Sequence, residues 1–206
     1  MAWLVAGLGN PGDRYATTRH NLGRMVVEEM SREAGVRLRK ARFLPANVAE
    51  LRIDGERVLL VTSTRFMNES GTSYAGVARK QDVPPERIVA IHDELEIPAG
   101  ELRIKLGGGS AGHNGLRSLT QALRTPEYHR VRIGVGRPPG RQDPADFVLQ
   151  PIAKRDEADI ARWVDRAADA VRSLITAGLA ATQDRFNRAA GRDDAPGGLA
   201  EGPTEA

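Results

Sequence analysis

The chain has 206 residues, 40% hydrophobic and 28% charged, with a formal net charge of +3, which describes a soluble domain large enough to bury a core. It contains no cysteine, so disulfides, thiolate metal sites and cysteine nucleophiles are all excluded. No apolar run approaches the roughly 20 residues of a membrane helix, and the start, Met1-Ala2-Trp3, lacks the basic-then-apolar layout of a signal peptide, so a cytosolic protein is expected.

Trp3 to Ala6 is a short apolar run that ends in glycines and predicts a buried strand. Leu22, Met25, Val26 and Met30 recur at helical spacing, with Gly35 as the stop. Val48 to Ile53 and Arg57 to Val61 flank Asp54-Gly55, the strongest short hairpin signal. A helix opens near Ser70, carries Tyr74, Val77 and Ala78, and closes before Pro84-Pro85. Strands follow at Ile88 to Ile91 and Leu102 to Leu106, then a helix with Leu116, Leu119 and Leu123, then a strand from Val131 to Val135. From Arg155, Ile160, Trp163, Val164, Ala167, Val171, Leu174 and Ile175 trace one face of a long amphipathic helix that Gly178 breaks. The expectation is one domain over residues 1–188, an α/β/α sandwich around a mixed, mostly parallel sheet. Residues 189–206, rich in Gly, Ala, Pro, Asp and Glu, predict a disordered tail.

Charge is unevenly placed. Between Ala99 and Gln142 stand eight Lys or Arg, namely Arg103, Lys105, Arg117, Arg124, Arg130, Arg132, Arg137 and Arg141, against only Glu101 and Glu127. Such a local excess attracts phosphates by displacing counterions, although a solvated arginine-rich face has the same composition.

Polar residues and glycines gather at strand ends, where open α/β sheets place ligands. The first cluster, Gly7-Leu8-Gly9-Asn10-Pro11-Gly12, spells a dinucleotide-binding fingerprint. That fingerprint needs a helix opening at the glycines and an acidic residue ending a second strand. Here the helical face begins only near Leu22, and Glu28 and Glu29 fall within it, so the match is accidental. The Gly107 to Gly109 run lacks the Lys-Ser/Thr ending of a P-loop.

His20 can act as a base if one ring nitrogen is held protonated and the other left free. Asp93, at the end of a predicted strand, is the available orienting carboxylate, in the role Asp plays in serine-protease triads. Ser70, Ser73 and Ser110 sit in no nucleophile elbow, which leaves water as the simpler nucleophile. Asn10, Asn21, Asn68 and Asn114 are carboxamides able to grip a peptide group or support an oxyanion without adding charge. A metal is the rival use of these groups. His92 and Asp93 should point to opposite faces of a strand, no H-E-x-x-H motif occurs, and His113 with Asp93 has no evident third ligand. A metal site is therefore not expected.

Together the motifs resemble a known family. Gly7-Leu8-Gly9-Asn10-Pro11-Gly12 with Tyr15 and Thr18-Arg19-His20-Asn21-x-Gly23 is similar to the opening of bacterial peptidyl-tRNA hydrolases. So are Phe66-Met67-Asn68-x-Ser70-Gly71, Asp93-Glu94-Leu95-x-Ile97-Pro98-x-Gly100 and Gly107-Gly108-Gly109-Ser110-x-Gly112-His113-Asn114-Gly115-Leu116. The resemblance runs from Leu4 to about Asn187. It implies a monomeric α/β sandwich that needs no cofactor, metal or obligate protein partner. Its activity would be cleavage of the ester between a peptide and the tRNA 3′ ribose. It implies His20 as general base on water, Asp93 as its stabiliser, and Asn10 as the group that distinguishes a blocked aminoacyl end from a free one. Tyr15, Phe66, Asn68 and Asn114 match positions that contact the peptidyl-tRNA end, and Lys105 and Arg132 are candidates for a phosphate clamp.

The chain also departs from the family pattern. Thr62-Ser63-Thr64-Arg65 stands where relatives usually carry Lys-Pro and then Thr, so a looser loop is expected beneath Phe66 and Asn68, with an added charge. Ala111 and Glu96 replace a frequent Gly and Asp. Two other classes of function compete with the esterase. A noncatalytic RNA-binding protein on the same scaffold would bind tRNA without cleaving it. A nucleotide-dependent oxidoreductase would bind NAD or NADP.

Overall fold

Alternation along the strands assigns each side chain to a layer. In β1 (Trp3–Gly7), Leu4 and Ala6 join one apolar cluster and Val5 the other. In β4 (Glu56–Ser63), Val58 and Leu60 face one way and Leu59 and Val61 the other. Both faces of these strands are buried, which explains why their sequences read as unbroken apolar runs. The result, in a computed structural model that describes residues 1–187, is a seven-stranded sheet covered on both sides. The expected tail at 189–206 lies outside the described residues.

The sheet order is β2-β3-β4-β1-β5-β7-β6, where β2 is Arg39–Lys40, β3 Ala46–Ile53, β5 Ile88–Glu94, β6 Leu102–Leu106 and β7 His129–Gly134. The central strands β4, β1, β5 and β7 are parallel, and antiparallel strands flank them on both sides. Helices α2 (Leu22–Glu33) and α6 (Glu157–Phe186) supply the cluster on one face, and α3 (Gly71–Lys80) and α4 (Asn114–Leu123) that on the other. The sandwich is the expected one. Asp54 and Gly55 form a two-residue hairpin turn with φ of 50° and 81°, the pair of left-handed residues that a type I′ turn requires. Gly178, with φ 80° and ψ 178°, interrupts α6.

Among the described residues, two α-helices and one strand lie outside the sequence expectations. The turn α1 (Asp13–Ala16) and strand β2 are too short to show periodicity. Helix α5 (Pro144–Leu149) was readable in principle. Asp143 caps it by accepting from Ala145 N at 2.7 Å, and Pro144 stands in its first turn.

One close approach sets the geometry of the site. Gly23, near the start of α2, lies so close to β5 that an added Cβ would stand 2.0 Å from the Ile91 carbonyl oxygen. Gly23→Ala should therefore destabilise the protein by about 2 kcal/mol. Overpacking against backbone costs up to about 3 kcal/mol, and alanine recovers about 1 kcal/mol of helix propensity. Denaturant unfolding measures this, and an unchanged midpoint would show that α2 can slide off β5.

Candidate active site

The site lies at the carboxyl ends of β1 and β5, neighbours from which the chain continues in opposite directions along the sheet, toward β4 from β1 and toward β7 and β6 from β5, where α/β folds bind ligands. Asp93 is buried in β5 near its end. His20 comes from a 3-10 turn, Arg19–Asn21, between β1 and α2. Its Nδ1 lies 3.0 Å from Asp93 Oδ1. Apart from that bond its ring has no hydrogen-bond partner among the described residues, so Nε2 is left open, and the ring borders a cavity of 420 Å³.

Asp93 Oδ1 also lies 3.1 Å from His113 Nε2. His113 caps α4, its Nδ1 accepting from the backbone N–H groups of Gly115 and Leu116 at 3.1 and 3.3 Å. A ring nitrogen that accepts two N–H bonds carries no proton, so in the neutral imidazole the proton sits on Nε2 and points at Asp93. Gly115 permits this geometry, since a Cβ there would meet Met67 Sδ at 2.5 Å and crowd the His113 ring. Sequence reading considered His113 only as a metal ligand. Its position beside the glycines at a helix start was the signal that it would act as a cap.

The ring charges follow from these contacts. Burial pushes His20 down, but the Asp93 charge and hydrogen bond outweigh it and hold the imidazole above its ordinary 6.5. For Asp93, burial would raise the carboxyl, but the two imidazoles hold it far below the usual carboxylate range. His92 donates from Nδ1 to the Asp93 carbonyl at 2.7 Å, and its ring packs 5.0 Å from that of His113. Burial first, and then His113, drives His92 well below its ordinary value, and its Nε2 has no partner among the described residues.

One ligand atom each from His20, Asp93 and His113 falls within 4.8 Å of the others, so His20 is the third group that the spacing left unplaced. The hydrogen bonding fits a metal poorly. Coordination through His113 Nε2 would move the ring proton to Nδ1, against two backbone N–H donors.

Asn10 is tied in beside this cluster. Its N–H donates to Asn21 Oδ1 at 2.8 Å, Asn21 Nδ2 returns a bond to its carbonyl at 2.9 Å, and its own Oδ1 accepts from Met67 N at 2.8 Å. With the oxygen engaged, the carboxamide offers donors. Asn114 lines the cavity with His20, Asp93 and His113, and α5 closes its side through Pro144, Val148 and Leu149. Asn10, Tyr15, Phe66 and Asn68 are not among the residues that line that cavity. The Tyr15 and Phe66 rings meet edge to face at 6.3 Å, and Asn68 is exposed on the turn Met67–Glu69.

The loop before Phe66 is tighter than its lost proline implied. Ser63 Oγ accepts from Arg65 N at 2.9 Å and also meets the Arg65 carbonyl, and Thr64 N donates to Pro45 O at 2.9 Å. Hydroxyl bonds thus hold the turn that a proline ring would otherwise have stiffened. Arg65 pairs with Glu69 at 3.2 Å.

The model of the peptidyl-tRNA hydrolase family matches residues 4–194. The chain belongs to the peptidyl-tRNA hydrolase family. It is 49% identical over 185 residues to the peptidyl-tRNA hydrolase of Frankia alni, covering 90% of this chain and 93% of that one. The enzyme of Nocardia farcinica is 47% identical over 184 residues, with 89% and 95% covered. The crystal structure of peptidyl-tRNA hydrolase from Acinetobacter baumannii superposes with a TM-score of 0.83 at 33% identity, covering 90% of this chain and 94% of that one.

The cations of this peptidyl-tRNA hydrolase family member are less free than their number suggests. Arg130 is buried with its guanidinium over the Tyr128 ring, and it donates to the carbonyls of Gly108 and Gly109. It therefore shapes the glycine loop that leads to His113. Arg132 pairs with Glu94 at 3.0 Å, and Arg103 with Glu101 at 2.7 Å. Lys105 has no acidic partner among the described residues. Burial, then Arg132 and Arg130, push it below the ordinary lysine value, so a bound anion would relieve it.

Proposed function

We propose that His20 takes a proton from water at Nε2 as the oxygen attacks the ester carbon between a peptide and the 3′ ribose of tRNA. Hydrolysis of peptidyl-tRNA is the activity that the family match and the relatives support. The observation that carries the mechanism is Asp93 Oδ1, which takes bonds from two imidazoles that both line the cavity, of which His20 keeps a ring nitrogen without a partner among the described residues. The carboxylate stabilises the imidazolium as it forms, and His113 keeps the carboxylate in place.

As the water adds, the ester carbonyl becomes an oxyanion, for which the free amide donors of Asn10 or Asn114 are the candidates. The proton on His20 then passes to the departing ribose oxygen, and free peptide and tRNA leave. Asn10 also has the chemistry to sense a blocked amino group. A blocked end carries a carbonyl that accepts from its N–H donors, whereas a free ammonium has only donors to offer. Tyr15, Phe66, Asn68 and Asn114 would hold the peptidyl end. Lys105 and Arg132 would bind backbone phosphates, contacts that carry no sequence information and so suit a substrate of many tRNAs. This reading treats residues 1–188 as one catalytic domain acting as a monomer.

The test is release of N-acetyl-aminoacyl and of unblocked aminoacyl groups from tRNA, in EDTA, at low and moderate salt. Cleavage of the blocked substrate alone is expected. Salt-sensitive tRNA binding without release would instead favour a binding protein on this scaffold.

A further inference from the structure

Three aromatic side chains, one on the short helix α1 and two on loops, each follow an arginine: Arg14-Tyr15, Arg42-Phe43 and Arg65-Phe66. Two of the guanidinium groups lie over the neighbouring ring, at 5.6 Å from the Tyr15 centroid and 4.7 Å from that of Phe43. Tyr15 and Phe66 already have a part in the reading above. Phe43 does not. It is 86% exposed, and its φ of 66° lies in the left-handed region that disfavours a bulky side chain.

The loop that holds it there is well tied. Ala41 N donates to Ala46 O at 2.8 Å, and Lys80 Nζ to the Arg42 carbonyl at 3.4 Å. Leu44 packs into the apolar cluster next to α3. The bond from Thr64 N to Pro45 O joins this loop to the one bearing Phe66. A strained backbone is thus maintained to present a ring that stays 86% exposed among the described residues and meets the Arg42 guanidinium, a combination that invites a contact from outside the chain.

We infer that Phe43, backed by Arg42, is a distal subsite for the peptide half of the substrate and takes an aromatic side chain three or four residues from the ester. The inference rests on the esterase reading above. The sheet order supplies the occupant. Lys105 and Arg132 lie on β6 and β7, to one side of His20 and Asp93, while Phe66 follows β4 and Phe43 precedes β3 on the other. Peptide and RNA leave the ester carbon in different directions, so phosphates on the β7 side leave the β4–β3 side to the peptide. Strands are about 4.8 Å apart, which puts the start of β3 about 10 Å from β1 and about 14 Å from β5, the two strands whose ends carry the site. An extended peptide advances about 3.3 Å per residue, so its third or fourth residue reaches Phe43. There a ring face with a cation behind it favours aromatic partners.

The experiment compares KM for N-acetyl-aminoacyl-tRNA with that for tetrapeptidyl-tRNAs carrying Phe or Ala at the third residue from the ester. The protein is tested as wild type, Phe43→Ala and Phe43→Trp. Wild type and Phe43→Trp should bind the Phe-bearing tetrapeptide roughly three- to tenfold more tightly than the Ala-bearing one, the range of one aromatic contact. Phe43→Ala should lose that preference while its kcat and its KM for the one-residue substrate stay at wild-type values. A KM raised equally for all substrates would overturn the proposal and place RNA on Phe43, and a preference that survives Phe43→Ala would overturn it too. Equilibrium binding of the same series with an amide in place of the ester reads the subsite without turnover. A protein that shows the preference there but cleaves no ester would sink the esterase reading alone.

Discussion

Replacing His20 with alanine is expected to lower kcat by about 10²- to 10⁴-fold, the usual contribution of a positioned general base. Among the described residues His20 Nε2 has no hydrogen-bond partner and the ring borders the cavity, whereas His113 is engaged at both nitrogens. The loss should fall on kcat more than on KM, because the ring acts on water rather than holding the peptide or the RNA. Folding should survive, because Asp93 keeps its bond from His113 and loses one hydrogen bond, worth about 1–3 kcal/mol for a charged acceptor. Single-turnover kinetics with N-acetyl-aminoacyl-tRNA, alongside a thermal melt, measure both. Full activity in a folded His20→Ala protein would show that another group takes the proton.

Asp93→Asn is expected to reduce turnover by about 10²- to 10⁴-fold for a different reason. The asparagine oxygen can still accept from both imidazoles, so the geometry can persist, but the negative charge is gone. With that charge present, His20 titrates above 6.5 despite its burial. A general base must be neutral to work, so kcat/KM should rise with pH through that raised value and fall in acid. Asp93 is held far below the usual carboxylate range and contributes no limb of its own near neutrality. In Asp93→Asn the charge that outweighs burial at His20 is gone, and the acidic limb should move to lower pH, with a reduced plateau. A pH profile of kcat/KM for both proteins decides the matter, and a limb that stays in place would remove Asp93 from the role of stabiliser.

Much of the fold could be read from residue pattern. The hairpin at Asp54-Gly55 was legible because only a narrow set of residues tolerates two successive left-handed positions. The strands were legible because burial on both faces demands continuous apolar runs, as in Leu4 to Ala6 and Ile88 to Ile91. Helix α5 was missed although Asp143-Pro144 marks its start, because six residues give a weak periodicity.

The sequence by itself determined the layered α/β architecture, the absence of thiol chemistry and the short list of chemically capable residues at strand ends. Only the tertiary structure decided which of those residues meet. His20 and Asp93 are 73 positions apart, and His113 is 20 beyond Asp93, separations at which local pattern carries no distance information. The contact depends on α2 closing on β5 at Gly23 and on α4 starting where Gly115 lets the His113 ring turn inward. The same holds for charge. Composition counted Arg130 among the free cations, but burial and two carbonyl acceptors make it a brace for the glycine loop. Residue type sets what a group can do, and packing sets what it is near and whether water reaches it.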